Sequence, residues 1–266
     1  MSFTSGLLLT VPAPLLSVLM VGMPILLAVV GLFVARRLFS FPQDGAHHEV
    51  VGTCLQVVGT AYAVLLAFMV FVVWTQMDEA ERHVAQEVNA LNALFQDAEW
   101  FPVSSRQVAQ TRIREYARAV VEDEWTTMAR GHASPRAARA LDALWLSYRS
   151  IEPRTASEGA AYAESLRRLN DAGGYRRLRL LSSRGGVAPI LWALLLAGGM
   201  VTVGLMYLYY MENVWIHGLL VTALTGIIAF ILLLILLFDH PFTGNVRVSP
   251  EAFEEATEGW RVAVGG

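Results

Sequence analysis

The sequence predicts an all-α integral membrane protein: four transmembrane helices, with a cytosolic helical bundle inserted between the second and the third. Three observations predict it. The chain of 266 residues is 55% hydrophobic and only 16% charged, against roughly 25% charged residues in soluble domains. The missing charge is confined to separate apolar stretches, each long enough for a helix of about 20 residues to cross a hydrocarbon core of roughly 30 Å. The residues between the second and third stretches have an ordinary soluble composition. The expected segments are 1–76 (an N-terminal interfacial segment and two spans), 77–186 (the bundle), 187–238 (two spans) and 239–266 (a cytosolic C-terminal tail).

The first span runs from about Leu15 to Ala35 and ends at Arg36-Arg37. Met1–Pro14 reads as an interfacial lead-in, because it lacks the basic start of a signal peptide. Pro24 lies inside the span and is expected to kink it. The second span covers about Leu55 to Thr75. Its small residues Gly59, Ala63 and Ala67 permit close helix contact. The third runs from Val187 to Tyr210, and the fourth from Ile216 to Phe238, stopping at Asp239-His240-Pro241. Trp74, Tyr207, Tyr209 and Tyr210 sit at span ends, where an aromatic belt belongs. Arg82, Arg176, Arg177, Arg179, Arg184 and Arg247 flank one side of the membrane, and Arg36 and Arg37 the other. The excess places both termini and the insert in the cytoplasm, in the inner membrane of a bacterial cell.

Residues 77–186 hold 16 Arg and 15 acidic residues, well mixed, as on a solvated surface. The second span is expected to continue as one helix through Met77–Asp97 to a break at Phe101-Pro102. Ile113, Tyr116, Ala117, Val120, Val121, Trp125 and Met128 recur at helical period, and Gly131 stands where a C′ glycine would end that helix. Ser134-Pro135 provides an N-cap and a first-turn proline for the next, with Leu141, Leu144, Trp145, Tyr148 and Ile151 on one face. A further helix from about Ser157 is expected to be interrupted at Gly173-Gly174.

All 20 basic residues are Arg, which points to a GC-rich bacterial genome. The single Cys54 excludes an intrachain disulfide, and a net charge of −3 without a basic stripe excludes a nucleic-acid partner. None of the spans carries Asp, Glu, Lys or Arg, which argues against a proton-coupled carrier. Two readings stay open. The spans anchor the bundle as a membrane-bound interaction protein without a pore, or they line a pore whose apolar part gates by dewetting. Ala61, Leu65, Phe68, Val72 and Thr75 share one face of the second span, and Gln76 and Glu79 prolong it. Asp78, Glu79 and Glu81 at the mouth would favour cations, whereas Phe ring edges can face anions.

His47-His48-Glu49-Val50-Val51-Gly52 leading into Tyr62–Phe68, then Glu87-Val88-Asn89-Ala90-Leu91, then Leu237-Phe238-Asp239-His240-Pro241-Phe242-Thr243-Gly244 with Val248-Ser249-Pro250, resemble the bacterial bestrophin-like domain family. The family is distantly similar to bestrophin channels. The resemblance implies a pentamer with an apolar neck on the second span, at Val64 or Leu65, Phe68 and Val72. The calcium clasp of gated bestrophins is not matched, since Asn245, Val246 and Arg247 follow Gly244. The resulting expectation is a homo-oligomeric channel for small monovalent ions, anions slightly favoured over cations, lined by Ala61, Val64, Leu65, Phe68, Val72, Thr75, Gln76 and Glu79. Its partners are the lipid bilayer, copies of itself and small inorganic ions, with no cofactor and no enzymatic activity. Smaller groupings have two readings: His47-His48-Glu49 is a metal site or a loop pair without metal, Asp239-His240 a helix-end cap or a pH sensor, and Glu122-Asp123-Glu124 a solvated face or a cation-gathering run; the spacing of Glu79 and His83 suits a side-chain pair.

Overall fold

The computed structural model describes residues 13–38, 45–209 and 211–265. The lead-in expected over Met1–Pro14 lies almost wholly outside the described residues, as does Tyr210. Every regular element among the described residues is helical. Four of the helices are long and apolar enough to cross a membrane. The chain divides into two compact units: residues 13–75 with Gly186–Asp239, and Gln76–Gly185 with residues 240–265.

In the first unit, α1 comprises Ala13–Ser17, a π turn at Val18–Gly22, and Met23–Leu38. The π turn is the consequence of Pro24, which has no N–H and whose ring crowds the preceding turn, so the helix widens there. α2 runs unbroken from Gly45 to Asp97, and its first part belongs to this unit. α6 (Pro189–Leu208) opens on a first-turn proline. α7 (Val214–Phe238) opens on Asn213, whose side chain accepts from the N–H groups of Trp215 and Ile216. α7 packs against both α1 and α6. Tyr62, Leu66, Met69 and Val73 of α2 meet Leu195 of α6 and Ile228, Leu232 and Ile235 of α7 in one apolar cluster.

Within the subunit, among the described residues, close helix contact falls elsewhere than at Gly59, Ala63 and Ala67. Ala63 and Ala67 are exposed, and nothing stands within 4 Å of a Cβ built on Gly59. The close approaches are instead glycine under tyrosine. The Tyr62 ring crosses Gly198 and Gly199 and donates its hydroxyl to the Leu195 carbonyl at 2.8 Å. Tyr207 covers Gly31 and donates to the Ala28 carbonyl at 2.7 Å.

In the second unit α2 continues to Asp97, and a 3-10 turn at Ala98–Trp100 leads to Pro102. α3 comprises Val103–Ala119, a π turn at Val120–Glu124, and Trp125–Met128. Gly131 follows at φ +76°, the left-handed conformation of a C′ glycine. α4 (Pro135–Arg149) opens on Ser134, whose hydroxyl accepts from the Ala137 N–H at 3.0 Å. α5 (Ala156–Ser182) opens on Thr155, which accepts from the Glu158 N–H, while the Glu158 carboxylate accepts from the N–H of Arg154 just before the cap. The break expected at Gly173-Gly174 does not occur; α5 passes through both residues. Each glycine costs a helix about 1 kcal/mol, and the burial of Leu169, Ala172 and Arg179 on either side offsets it.

The tail beyond His240 is integral to this unit. α8 (Glu251–Gly265) packs on α3, with Trp260 stacked on Phe95 and Phe253 against Trp125. The Pro241–Val248 turn closes through the Val248 N–H to the Pro241 carbonyl at 2.8 Å. Phe242 packs on Trp125, whose indole N–H donates to the Val248 carbonyl at 3.1 Å.

Asp97 ends α2 close to Glu164. Burial first, then the Glu164 charge, raises its carboxyl above the ordinary value of 3.8, and Arg168 opposes them. A carboxyl raised on folding stabilises the fold fully below its unfolded pKa and loses that contribution as pH rises through the folded pKa. Asp97→Asn is therefore expected to raise the thermal midpoint at about pH 7, with the gain vanishing near pH 3 where Asp97 is already protonated. Equal midpoints at neutral pH would show that the charge is not a burden there.

Candidate functional site

The candidate ion pathway begins with the faces of α2. In the first unit one face carries Tyr62, Leu66, Met69 and Val73, all buried. On the opposite face Val64 is 66%, Phe68 61% and Phe71 65% exposed, and Ala61 is exposed beside them. Leu65 and Val72 stand at the border, half-buried, with Leu65 packed against the internal cluster. Thr75 is half-buried and donates its hydroxyl to the Phe71 carbonyl at 2.9 Å. In the second unit Gln76 is half-buried and Glu79 exposed. Phe71 was not among the expected residues, although it falls three positions after Phe68 and seven after Val64, a spacing that returns to the same helical face.

Glu79 does not pair with His83; the His83 Nδ1 lies 3.4 Å from the Ser182 hydroxyl. Among the described residues no three His, Cys, Asp or Glu side chains converge on a metal position. His47 reaches the Leu208 carbonyl at 3.3 Å, and the His48 ring packs edge-on to Tyr209. At the same end of this unit Arg36 donates to the Met211 carbonyl in the α6–α7 loop, and it lies 3.3 Å from the His217 Nδ1. His217 Nε2 lies 2.9 Å from the Met206 carbonyl, so it carries the proton and Nδ1 accepts from Arg36. At the other end Asp239 accepts from the Val187 N–H at 2.5 Å and from the Trp192 indole N–H at 3.4 Å. The carboxylate that ends α7 thereby ties down the start of α6.

The inserted unit contains a buried ionic network that the charge pattern did not single out. Arg179 is fully buried; its Nε and Nη2 donate to Glu87 at 2.7 and 3.1 Å, and Nη2 also reaches Glu124 at 2.9 Å. Arg176 donates to both oxygens of Glu124, at 2.6 and 3.1 Å. Tyr116 donates to Glu87 at 2.5 Å. Two carboxylates face two guanidiniums, so the set is neutral. Burial alone would push the Arg179 guanidinium down, but Glu87, then Tyr116 and Glu124, hold it above its ordinary range. Burial and the Glu87 charge push the Tyr116 hydroxyl well up, so it stays a donor. The Arg179 guanidinium also lies 5.4 Å from the Trp125 ring and 5.6 Å from that of Phe253.

Glu124 thus corrects the reading of Glu122-Asp123-Glu124 as a solvated face. Glu124 lies on the face of α3 that carries Ile113, Ala117 and Val120 and is fully buried, while Glu122 stays at the surface with Arg136. One signal was present in the sequence. Glu87 shares a helical face with Ala80, Val84 and Leu91, all buried, and a carboxylate on such a stripe requires a partner.

The bestrophin-like domain model matches residues 22–253 of the chain. The chain belongs to the bestrophin-like domain family. No curated protein matches it. Its fold is similar to that of a crystallised bacterial bestrophin homologue from Klebsiella pneumoniae, solved in two point-substituted forms. The first aligns with a TM-score of 0.69 at 14% identity, and the second with 0.66 at 13%; each alignment covers 92% of this chain and 99% of the homologue. A crystallised membrane protein gives 0.69 at 14% identity with the same coverage. This bestrophin-like protein is accordingly an all-helical membrane protein of bestrophin-like fold. The matched region includes the three sequence stretches that carry the resemblance, and each has a structural role: Tyr62 bonds the Leu195 carbonyl of α6, Glu87 neutralises Arg179, and Asp239 holds the start of α6.

Proposed function

We propose that this bestrophin-like chain is the subunit of a homo-oligomeric channel for small monovalent ions, with α2 lining an apolar neck. One observation carries the reading. α2 is a long membrane helix whose inner face is committed to its own subunit, while Ala61, Val64, Phe68 and Phe71 form an apolar stripe left exposed by the described residues of the subunit. Around a symmetry axis such a stripe makes a dry constriction that controls ions through dewetting. Leu65 and Val72 flank it, Thr75 follows, and Gln76 and Glu79 continue along the same unbroken helix. The uncharged spans support a path shared between copies over a relay of ionisable side chains. Five copies follow from the family resemblance, and a slight preference for anions over cations from the partial positive charge of the Phe68 ring edge.

The orientation proposed has both termini and the inserted unit in the cytoplasm of a bacterial cell. The bonds of Arg36 to Met211 and His217 support it, because they give that cation a role in closing a loop. Proteoliposomes holding the purified protein are expected to pass chloride, with Phe68→Ala raising the flux several-fold. Failure to pass chloride, sodium or potassium at any voltage would favour a membrane anchor without a pore. Unchanged flux in Phe68→Ala would remove that ring from the constriction.

A further inference from the structure

We infer that a pocket between α1, α6 and α7 binds a lipid-class hydrophobe that carries a carbonyl or hydroxyl group at mid-membrane depth. The pocket holds about 560 Å³, and Met23, Ala28, Met200, Gly204, Thr225 and Ala229 are among its walls. That volume is of the order found for ligand cavities, about 300–1,000 Å³. It lies among three membrane-spanning helices of one unit. Leu27 and Met200 at its edge are 61% and 70% exposed, so it opens sideways. An occupant therefore enters from the bilayer and must be apolar over most of its length.

Thr225 gives the occupant its polar group. Its residue is 6% exposed, it lines the pocket, and its buried hydroxyl has no hydrogen-bond partner among the described residues. Threonines in apolar helices usually return this hydroxyl to the carbonyl four residues back. Thr53, Thr75 and Thr202 do so here, at 2.8, 2.9 and 2.8 Å. Neither lipid tails nor water can satisfy the Thr225 hydroxyl at this depth. The Tyr207 hydroxyl, on the same wall, is already taken by the Ala28 carbonyl. Thr225 sits roughly 16 Å along α7 from its start, far below any lipid headgroup. The matching ligand is thus a long apolar chain with its oxygen well inside the membrane. Gly204 keeps the pocket open, since a Cβ placed there meets nothing within 4 Å.

The inference rests on the membrane location of this unit and not on conduction, so a chain that bound the ligand and passed no ions would uphold it. The test uses the full-length protein in nanodiscs, with 12-oxooctadecanoic acid and octadecanoic acid as probes and native mass spectrometry as readout. The keto acid should bind the wild type about fivefold or more tightly than the plain acid, as one hydrogen bond allows. Thr225→Val should erase that preference while leaving octadecanoic acid binding in place. Gly204→Leu should fill the pocket and abolish both. Equal affinities of the two acids for the wild type would overturn the inference. So would retained binding in Gly204→Leu, or disulfide cross-links from Met200→Cys showing a second copy seated in the pocket. If Gly204→Leu does not fold, the Thr225→Val comparison decides alone.

Discussion

Arg179→Met is expected to destabilise the inserted unit by about 3–5 kcal/mol, the cost of leaving a buried charge without its partner. Glu87 and Glu124 would then face a single remaining guanidinium, that of Arg176, inside a protein interior. Arg179→Lys should recover little. The native side chain grips Glu87 with two nitrogens, reaches Glu124 with one of them, and lies against both the Trp125 and Phe253 rings. An ammonium has neither the planar fork nor the flat faces for that. The informative variant pairs Arg179→Met with Glu87→Met. It removes one charge of each sign and leaves Glu124 with Arg176, so its cost should fall well short of the sum of the two single changes. Chemical unfolding followed by tryptophan emission reads all of these. A loss below about 1 kcal/mol for Arg179→Met would mean that solvent reaches the pair and that its burial has been overstated.

Gly198→Ala is expected to be the most damaging single-methyl change in the membrane unit, at about 1–3 kcal/mol. The added Cβ would stand 2.6 Å from two carbons of the Tyr62 ring. That ring has little freedom to withdraw, because its hydroxyl is held by the Leu195 carbonyl and its edge lies in the cluster with Met69 and Ile228. Gly59→Ala is the control. The same methyl meets nothing there and, in a helix interior, should be neutral or stabilising by up to about 1 kcal/mol. Thermal unfolding in detergent compares them. Tyr62→Leu in the Gly198→Ala background should restore part of the loss, since the clash disappears with the ring. Additive losses in the double variant would show that the two helices are not coupled at this point.

Both predictions concern contacts whose partners no local pattern named. Which cations reach Glu124 depends on how the helices of the inserted unit pack. The choice of Gly198 over Gly59 as the contact glycine depends on which helix faces Tyr62. The stripe of α2 shows the same limit at smaller scale. Period alone grouped Ala61, Leu65, Phe68, Val72 and Thr75, whereas packing draws Leu65 toward the internal cluster and leaves Val64, Phe68 and Phe71 outermost. A helix turns about 100° per residue, so adjacent apolar positions compete for the inner face, and the neighbouring helices decide between them.

The membrane helices, the long continuous α2, the C′ glycine at Gly131 and the cap at Ser134 were legible in the residues themselves. Partition into lipid sums over contiguous side chains, and caps involve atoms a few residues apart, so both are written in local order. The pairing of Glu87 with Arg179, the tie from Asp239 to Val187, the tail packed on α3 and the unpartnered Thr225 in its pocket were decided only by the tertiary structure. Each joins or isolates groups brought together by folding. In a chain whose charges are spread along so many helices, sequence order does not say which of them will meet away from water.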